Sequence, residues 1–310
     1  MANPIGVTPI GASPTGASPT GASPTGLQVR AEQLAARLPP LLVAAERVAT
    51  TVSQGVHGRR RVGPGETFWQ FRRYQPGDPI SAIDWRQTAK RSHVYVRETE
   101  WAAAQTIWLW RDCSASMNYR SHLAATDKRA RAELLALALA SLLFRGGERV
   151  ALLGAGAPIS GRLALERLLL AMTEHRPDSG VPALAEVPRH GHVVLMGDFL
   201  DPIEDIAGAV HAFSARGAAG HILQILDPAE ETLPFEGRVL LEGTENEGRL
   251  LVRRAEKMRA RYIERLAAHR ANLGALARGA GWSFGVHRTD HPPESALLAL
   301  FNALTAPRRV

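Results

Sequence analysis

The stretch Asp112-Cys113-Ser114-Ala115-Ser116 sets one carboxylate and two hydroxyls at alternate positions. In a turn, groups at i, i+2 and i+4 can face one point. Oxygen donors of this kind are hard ligands, suited to Mg²⁺ or Mn²⁺ rather than to a soft metal. The turn follows directly on the apolar run 106–110, which reads as a short strand. It therefore falls at a carboxyl-terminal strand end, where open α/β sheets bind ligands. A second acid, Asp198, ends the strand-like run 192–196 and reaches the same point if the two strands are neighbours. A loop carboxylate at such a place is expected to face solvent and to add little to the core. The alternative for the same residues is a turn without metal, because Asp and Ser after a strand also cap helices and shape turns. Cys113 points away from Ser114 in an extended turn and is not read as a reactive thiol.

Other chemistries find no support. No Gly-Lys pair exists, so there is no P-loop, and Gly154-Ala155-Gly156 lacks the third glycine of a dinucleotide fingerprint. There is no Gly-x-Ser-x-Gly elbow. His287 and His291 flank Asp290 without the Glu of a zincin and read as a turn before the last helix. No catalytic constellation emerges, and the expectation is a protein that is not an enzyme.

The elements that must position the Asp112 turn come from alternation of patterns. Apolar runs at 106–110, 149–154, 192–196, 221–226 and 282–287 read as strands. Between and after them, 127–145, 163–173, 203–216, 255–278 and 294–304 read as helices, while 238–242 with 249–252 reads as a hairpin. Strands alternating with helices imply an α/β fold, a mostly parallel sheet covered on both faces. Asp201 reads as a helix N-cap, with Pro202 at the first helical position and Glu204 two residues on.

Of the 310 residues, 45% are hydrophobic and 22% charged, an ordinary globular balance that can bury a core without staples. One cysteine excludes an internal disulfide framework and any cysteine-based zinc cluster, and a lone thiol fits a reducing cytoplasm. The longest apolar helical stretch, 134–144, is 11 residues, short of the roughly 18–20 that a membrane span needs. Residues 1–26 repeat Gly-Ala-Ser-Pro-Thr, with no charge and no apolar run. They read as a disordered tail and not as a secretory signal. Residues 27–103 form a second unit, with two short helices broken at Pro39-Pro40 and then a basic, Trp-rich segment; 104–310 form the third.

The net charge of +7 is uneven. Residues 54–97 carry nine Lys/Arg against three acids, and 249–265 carry seven against two. In the first segment Arg72, Arg73, Arg86 and Arg91 are expected to pair with Asp78 and Asp84, and Trp85 to be a packed anchor. The run 249–265 reads as a solvated helix face, and the other reading of both segments is a face for nucleic acid or polyphosphate.

Two resemblances rest on these residues. Asp112-x-Ser114-x-Ser116, the helix after it and Asp198 resemble the metal-ion-dependent adhesion site of von Willebrand factor A domains. Phe71-Arg72-Arg73-Tyr74-Gln75-Pro76-Gly77-Asp78, Ile83-Asp84-Trp85, Ala89-Lys90-Arg91 and Val94-Tyr95-Val96-Arg97 resemble the signature of domain-of-unknown-function family 58, over roughly residues 50–305. Arg73, Tyr74, Gly77, Asp78, Asp84 and Trp85 carry that signature. The resemblance implies a von Willebrand factor A-like doubly wound sheet with an N-terminal β-containing extension. It implies Mg²⁺ (or Mn²⁺) held by Asp112, Ser114, Ser116 and Asp198, and a protein carboxylate completing the site. The A-domain pattern has a Thr on a third loop, where Ser160 offers the same hydroxyl, although no strand before that loop is evident. The family's genes are often linked with those of MoxR-type AAA+ ATPases, which implies an adaptor or co-chaperone beside such an ATPase in the cytoplasm. Nucleic acid is the less favoured partner.

Overall fold

The computed structural model describes residues 6–8, 41–53, 68–75, 80, 83–90, 93–99, 105–189, 191–244 and 248–305. Its centre is a six-stranded sheet of β4 (Thr106–Arg111), β5 (Arg149–Leu152), β6 (Ala155–Ile159), β7 (His192–Gly197), β8 (Ala219–Leu226) and β11 (Ser283–Arg288), in the order β11-β8-β7-β4-β5-β6. Every pairing is parallel except that of the edge strand β6 with β5. The chain leaves β4 for β5 on one side and returns to β7 on the other. The switch point of the sheet thus lies between β4 and β7, whose registers place Arg111 opposite Met196. This is the mixed α/β architecture with a mostly parallel sheet that the alternation of strands and helices implied.

Alternation along the strands divides two cores. In β4, Ile107 and Leu109 face one layer while Trp108 and Trp110 face the other; in β7, Val194 and Met196 oppose Val193 and Leu195. The first layer holds α1 (41–53), α3 (Lys128–Arg145), α4 (Ala164–Glu174) and α8 (Pro293–Thr305). The second layer holds α5 (Ile203–Ala215) and α7 (Ala255–Gly279). Over residues 134–144 helix α3 is apolar nearly all round because it is sandwiched between the sheet and other helices. Ala45, Val48, Ala49 and Val52 are buried in the same cluster, so this helix of the 27–103 stretch packs into the core of the sheet domain.

The expected hairpin is present as β9 (Val239–Glu242) and β10 (Arg249–Val252), paired antiparallel. On its other edge β9 takes β1 (Gly6–Thr8), with Val7 opposite Leu241. The reading of 1–26 as a free tail did not include this backbone pairing; the rest of that stretch lies outside the described residues. In the basic segment 249–265, Arg259 of α7 is drawn into the fold by the carbonyls of Leu233 and Phe235, while Arg253 and Arg254 before the helix and Lys257, Arg261 and Arg265 on it are exposed.

The signature segment is a second, two-stranded unit. Strands β2 (Phe68–Arg73) and β3 (Tyr95–Thr99) pair antiparallel around the short helix α2 (Trp85–Thr88). One expectation is corrected here, and the pairing expected of Arg72, Arg91 and Asp78 falls on side chains outside the described residues. Trp85 is 64% exposed and is no packed anchor. Asp84 is the N-cap of α2, its carboxylate accepting from Gln87 N at 2.8 Å, while its own N–H donates to Tyr95 O. Tyr74 is tied by its backbone to Val94 O at 2.9 Å and its side chain is exposed, as is that of Arg73. Gly77 and Asp78 lie outside the described residues. Accordingly Trp85→Ala should change stability by less than about 0.5 kcal/mol, and Asp84→Ala should cost about 1 kcal/mol through the lost cap. Urea titration of both variants checks this ordering; a Trp85 loss above that of Asp84 would restore the anchor reading.

Candidate functional site

The site is built at the switch point. Strand β4 ends in Arg111, and the next residue, Asp112, donates its N–H to Met196 O of β7 at 2.8 Å. That bond extends the β4–β7 ladder by one step and brings the Asp112 turn over the end of β7. Asp112 Oδ1 accepts from Ser114 N at 2.7 Å, which shapes the turn, and Ala115–Asn118 follows as a single 3₁₀ turn. Gly197, the last residue of β7, makes room for the carboxylate. A Cβ there would lie 2.9 Å from Asp112 Cβ and 3.2 Å from its Oδ2. The expectation that Asp112 faces solvent is wrong: it is fully buried. Burial, followed by the nearby Asp198 charge, pushes its carboxyl up to about 7.

Asp198 follows Gly197 and joins the same point. Its Oδ2 accepts from Ser116 Oγ at 2.7 Å, and Ser114 Oγ lies 3.0 Å from Ser116 Oγ. The Asp198 loop is held firmly. Phe199 takes a left-handed φ of +48°, a strained conformation for a non-glycine residue, with its ring buried against Trp110 at 6.0 Å. Phe199 O meets His269 Nε2 at 2.6 Å, and Asp198 O accepts from Gln224 Nε2 at 2.9 Å.

A third group, not expected from the sequence, completes the constellation. Lys128, at the first turn of α3, is completely buried and donates to Asp198 Oδ2 at 2.8 Å and to Glu230 Oε1 at 2.6 Å. Burial alone would lower its pKa; the Asp198 and Glu230 carboxylates outweigh burial and hold the ammonium above its ordinary value. Glu230 belongs to α6 (Pro228–Thr232), and its other oxygen accepts from Asp227 N in a capping box. Asp227, at the end of β8, in turn accepts from Ser121 N at 2.9 Å and Ala229 N at 2.8 Å. Three neighbouring strands, β4, β7 and β8, therefore each end in an aspartate, and only the one at β8 is consumed by caps.

Of the sequence-derived candidates, Asp112, Ser114, Ser116 and Asp198 are brought together and Ser160 is not. Strand β6, absent from the sequence reading, runs antiparallel, with Ala155 opposite Leu152 and Ile159 opposite Val150. It carries the chain back to the amino-terminal end of the sheet, so exposed Ser160 lies about 20 Å from Asp112 along the strand direction, at 3.3 Å per residue. The loop that does reach the site end follows α4. Arg111, 2% exposed, donates to Met172 O and to His175 O, the latter at 3.3 Å, and so fixes the end of α4 beside the end of β4. From there Gly180 packs against Asp201, whose Oδ2 would stand 2.0 Å from a Cβ at that glycine. Asp201 is thus a loop contact rather than a cap; α5 starts at Ile203 with Pro202 in the cap position.

Among the described residues no three His, Cys, Asp or Glu side chains converge as a metal cluster. A divalent ion here would rely on hydroxyls beside two carboxylates. The donor set fits a hard cation on one point in particular. Asp112 Oδ2 is a buried carboxylate oxygen with no hydrogen-bond donor, seated over Gly197 and beside the Ser114–Ser116–Asp198 chain. A buried acceptor of that kind is costly unless a proton or a cation meets it.

A family model described as Protein of unknown function DUF58 matches residues 70–272. Similar proteins include Uncharacterized protein Mb1516 of Mycobacterium bovis and Uncharacterized protein Rv1480 of Mycobacterium tuberculosis. Each is 30% identical over 283 residues, which is 83% of this chain and 86% of the relative. Among solved structures, a conserved hypothetical protein BatB from Bacteroides thetaiotaomicron aligns at TM-score 0.38 and 14% identity, over 66% of this chain and all of that one. The SpRpn10 VWA domain aligns at TM-score 0.33 and 9% identity, over 64% of this chain and 95% of that one. No helix among the described residues is long and apolar enough to cross a membrane.

Proposed function

The chain belongs to the DUF58 family of proteins of unknown function, and from that footing we propose that it is a non-enzymatic, cytoplasmic interaction adaptor that docks a protein partner at the β4–β7 switch point. A Mg²⁺ or Mn²⁺ ion held by Asp112, Ser114, Ser116 and Asp198 would supply a localised positive charge that an Asp or Glu of the partner completes. The observation that carries this reading is the unpartnered, fully buried Asp112 Oδ2 beside the two serine hydroxyls. The partner we infer is a MoxR-type AAA+ ATPase, on the gene linkage that the family resemblance implies, with the pair acting in chaperone-like assembly or stress functions.

The test is direct binding of a purified MoxR-type ATPase from the same genome. Binding should require Mg²⁺ or Mn²⁺, fall at least tenfold with chelator, and persist at high salt. Asp112→Asn keeps the shape of the buried side chain and should lower binding as far as chelator does. Binding that ignores chelator but falls steeply with salt would instead assign the contact to the basic segments 54–97 and 249–265, since phosphate-type contacts are salt-dependent.

A further inference from the structure

We infer that the Lys128 ammonium is a tethered counter-cation of this site, and that a divalent ion enters by displacing it from Asp198 onto Glu230. The inference rests on the metal reading above and deepens it by naming the residue that sets the affinity. Three observations carry it. First, Asp198 Oδ2 already receives two donors, Ser116 Oγ at 2.7 Å and Lys128 Nζ at 2.8 Å, which fills its acceptor capacity. Oδ1 of Asp198 is turned to Leu200 N at 3.4 Å, so a metal ion that takes Oδ2, the oxygen beside the serine hydroxyls, must remove one of them. Ser116 can turn its hydroxyl oxygen to the ion, whereas the ammonium has only donors and carries a like charge. Second, the ammonium has a second seat. Glu230 Oε1 holds it at 2.6 Å, and Glu230 is itself fixed by Asp227 N on its other oxygen. Third, Lys128 occupies a position that is unfavourable for a cation without those carboxylates. It stands in the first turn of α3, where the helix dipole repels a cation, and it is completely buried. A lysine placed there has its stabilisation only from the carboxylates it meets.

With all three carboxylates ionised, Asp112, Asp198, Glu230 and Lys128 carry a net charge of −2, the charge that a divalent ion offsets. Without a metal, Lys128 keeps Asp198 and Glu230 paired while Asp112 Oδ2 stays open. With a metal, the ammonium is left to Glu230. Because Tyr262 Oη donates to Glu230 O at 2.5 Å, the exchange also links the site to α6 and α7.

The experiment is calorimetric titration of the full chain with Mn²⁺, on the wild type, on Lys128→Met, and on Lys128→Met with Glu230→Gln. The double variant avoids leaving Glu230 buried and unpaired, and so carries the comparison if the single variant does not fold. Both variants should bind one Mn²⁺ at least tenfold more tightly than the wild type. Mn²⁺ should also raise their melting temperatures more than that of the wild type, and adding Asp112→Asn should abolish both effects. Equal affinity in wild type and variants would overturn the displacement while leaving the metal reading in place. Weaker binding in the variants would overturn it as well, by making Lys128 a support of the bound ion. Absence of binding in every protein would remove the metal reading and this inference with it.

Discussion

Arg111→Met is expected to lose about 2–4 kcal/mol of folding stability, because two carbonyls lose a charged donor at about 1–3 kcal/mol each. Arg111 ends β4 and is 2% exposed. Its guanidinium donates to the carbonyls of Met172 and His175, which α4 leaves without intrahelical partners at its end, and its Nε lies 3.5 Å from Glu133 Oε1 of α3. One side chain thus joins three elements at the end of the sheet that carries the site. Methionine replaces most of the stem and none of the donors, so the carbonyls of Met172 and His175 lose their donor, while Glu133, 23% exposed, keeps Arg129 Nε at 3.5 Å. Arg111→Lys should recover little, because a single ammonium cannot reproduce the two-pronged fork. Urea unfolding checks the loss. A change below about 1 kcal/mol in both variants would show that α4 and the 175–180 loop hold their place without the guanidinium.

The strand alternation was legible because each core strand points large apolar residues to both faces, as Ile107 and Leu109 against Trp108 and Trp110 do. The meeting of Asp112 with Asp198 was legible once β4 and β7 were taken as neighbours. Strand β6 was hidden, since Ala-Gly-Ala-Pro-Ile is mostly exposed on a sheet edge and carries no alternation; with it the direction of the chain at Ser160 was lost. Trp85 was misread because aromatic content alone does not say which ring is packed. Lys128 left a signal that was not used. The first turn of α3 reads Lys128-Arg129-Ala130-Arg131, three cations at the helix end that disfavours them. Two of the three proved to be buried in specific networks. Arg131 donates to His291 O at 2.7 Å and Thr289 O at 2.8 Å, just as Lys128 is held by Asp198 and Glu230. Glu230 was likewise readable from Asp227-Pro228-Ala229-Glu230, a capping-box pattern with proline at the first helical position. Wrong-signed charge at a helix start is the sequence trace of a buried partner.

The second large effect is on acid stability, through two buried histidines. His221, 4% exposed, meets Ser283 Oγ with Nδ1 at 2.7 Å and has no partner for Nε2; burial pushes its pKa down to about 4. His287, 3% exposed, faces Arg131 Nη1 with Nε2 at 3.2 Å. Arginine is always a donor, so Nε2 must accept and the ring must be neutral. Burial first, then Arg131 and His291, lower its pKa to about 4 against a small opposing pull from Asp290. In both cases the folded pKa lies below the unfolded value near 6.5. The unfolded chain therefore binds more protons below pH 6.5, and stability falls as pH drops from there towards 4. Each ring contributes about 3 kcal/mol at full shift, at 1.36 kcal/mol per pH unit. Asp112, with its carboxyl raised to about 7, titrates with the opposite sign over the same window. The histidine contribution is isolated by comparing the wild type with His221→Asn/His287→Gln, in which the side-chain amides keep polar atoms near Nδ1 and Nε2 but do not titrate. Between pH 7 and pH 4, the double variant should lose about 6 kcal/mol less than the wild type, whatever its stability at pH 7. Urea titrations at the two pH values measure the difference. Equal losses in the two proteins would mean that both rings accept protons in the folded state, and that His287 is not held neutral by Arg131.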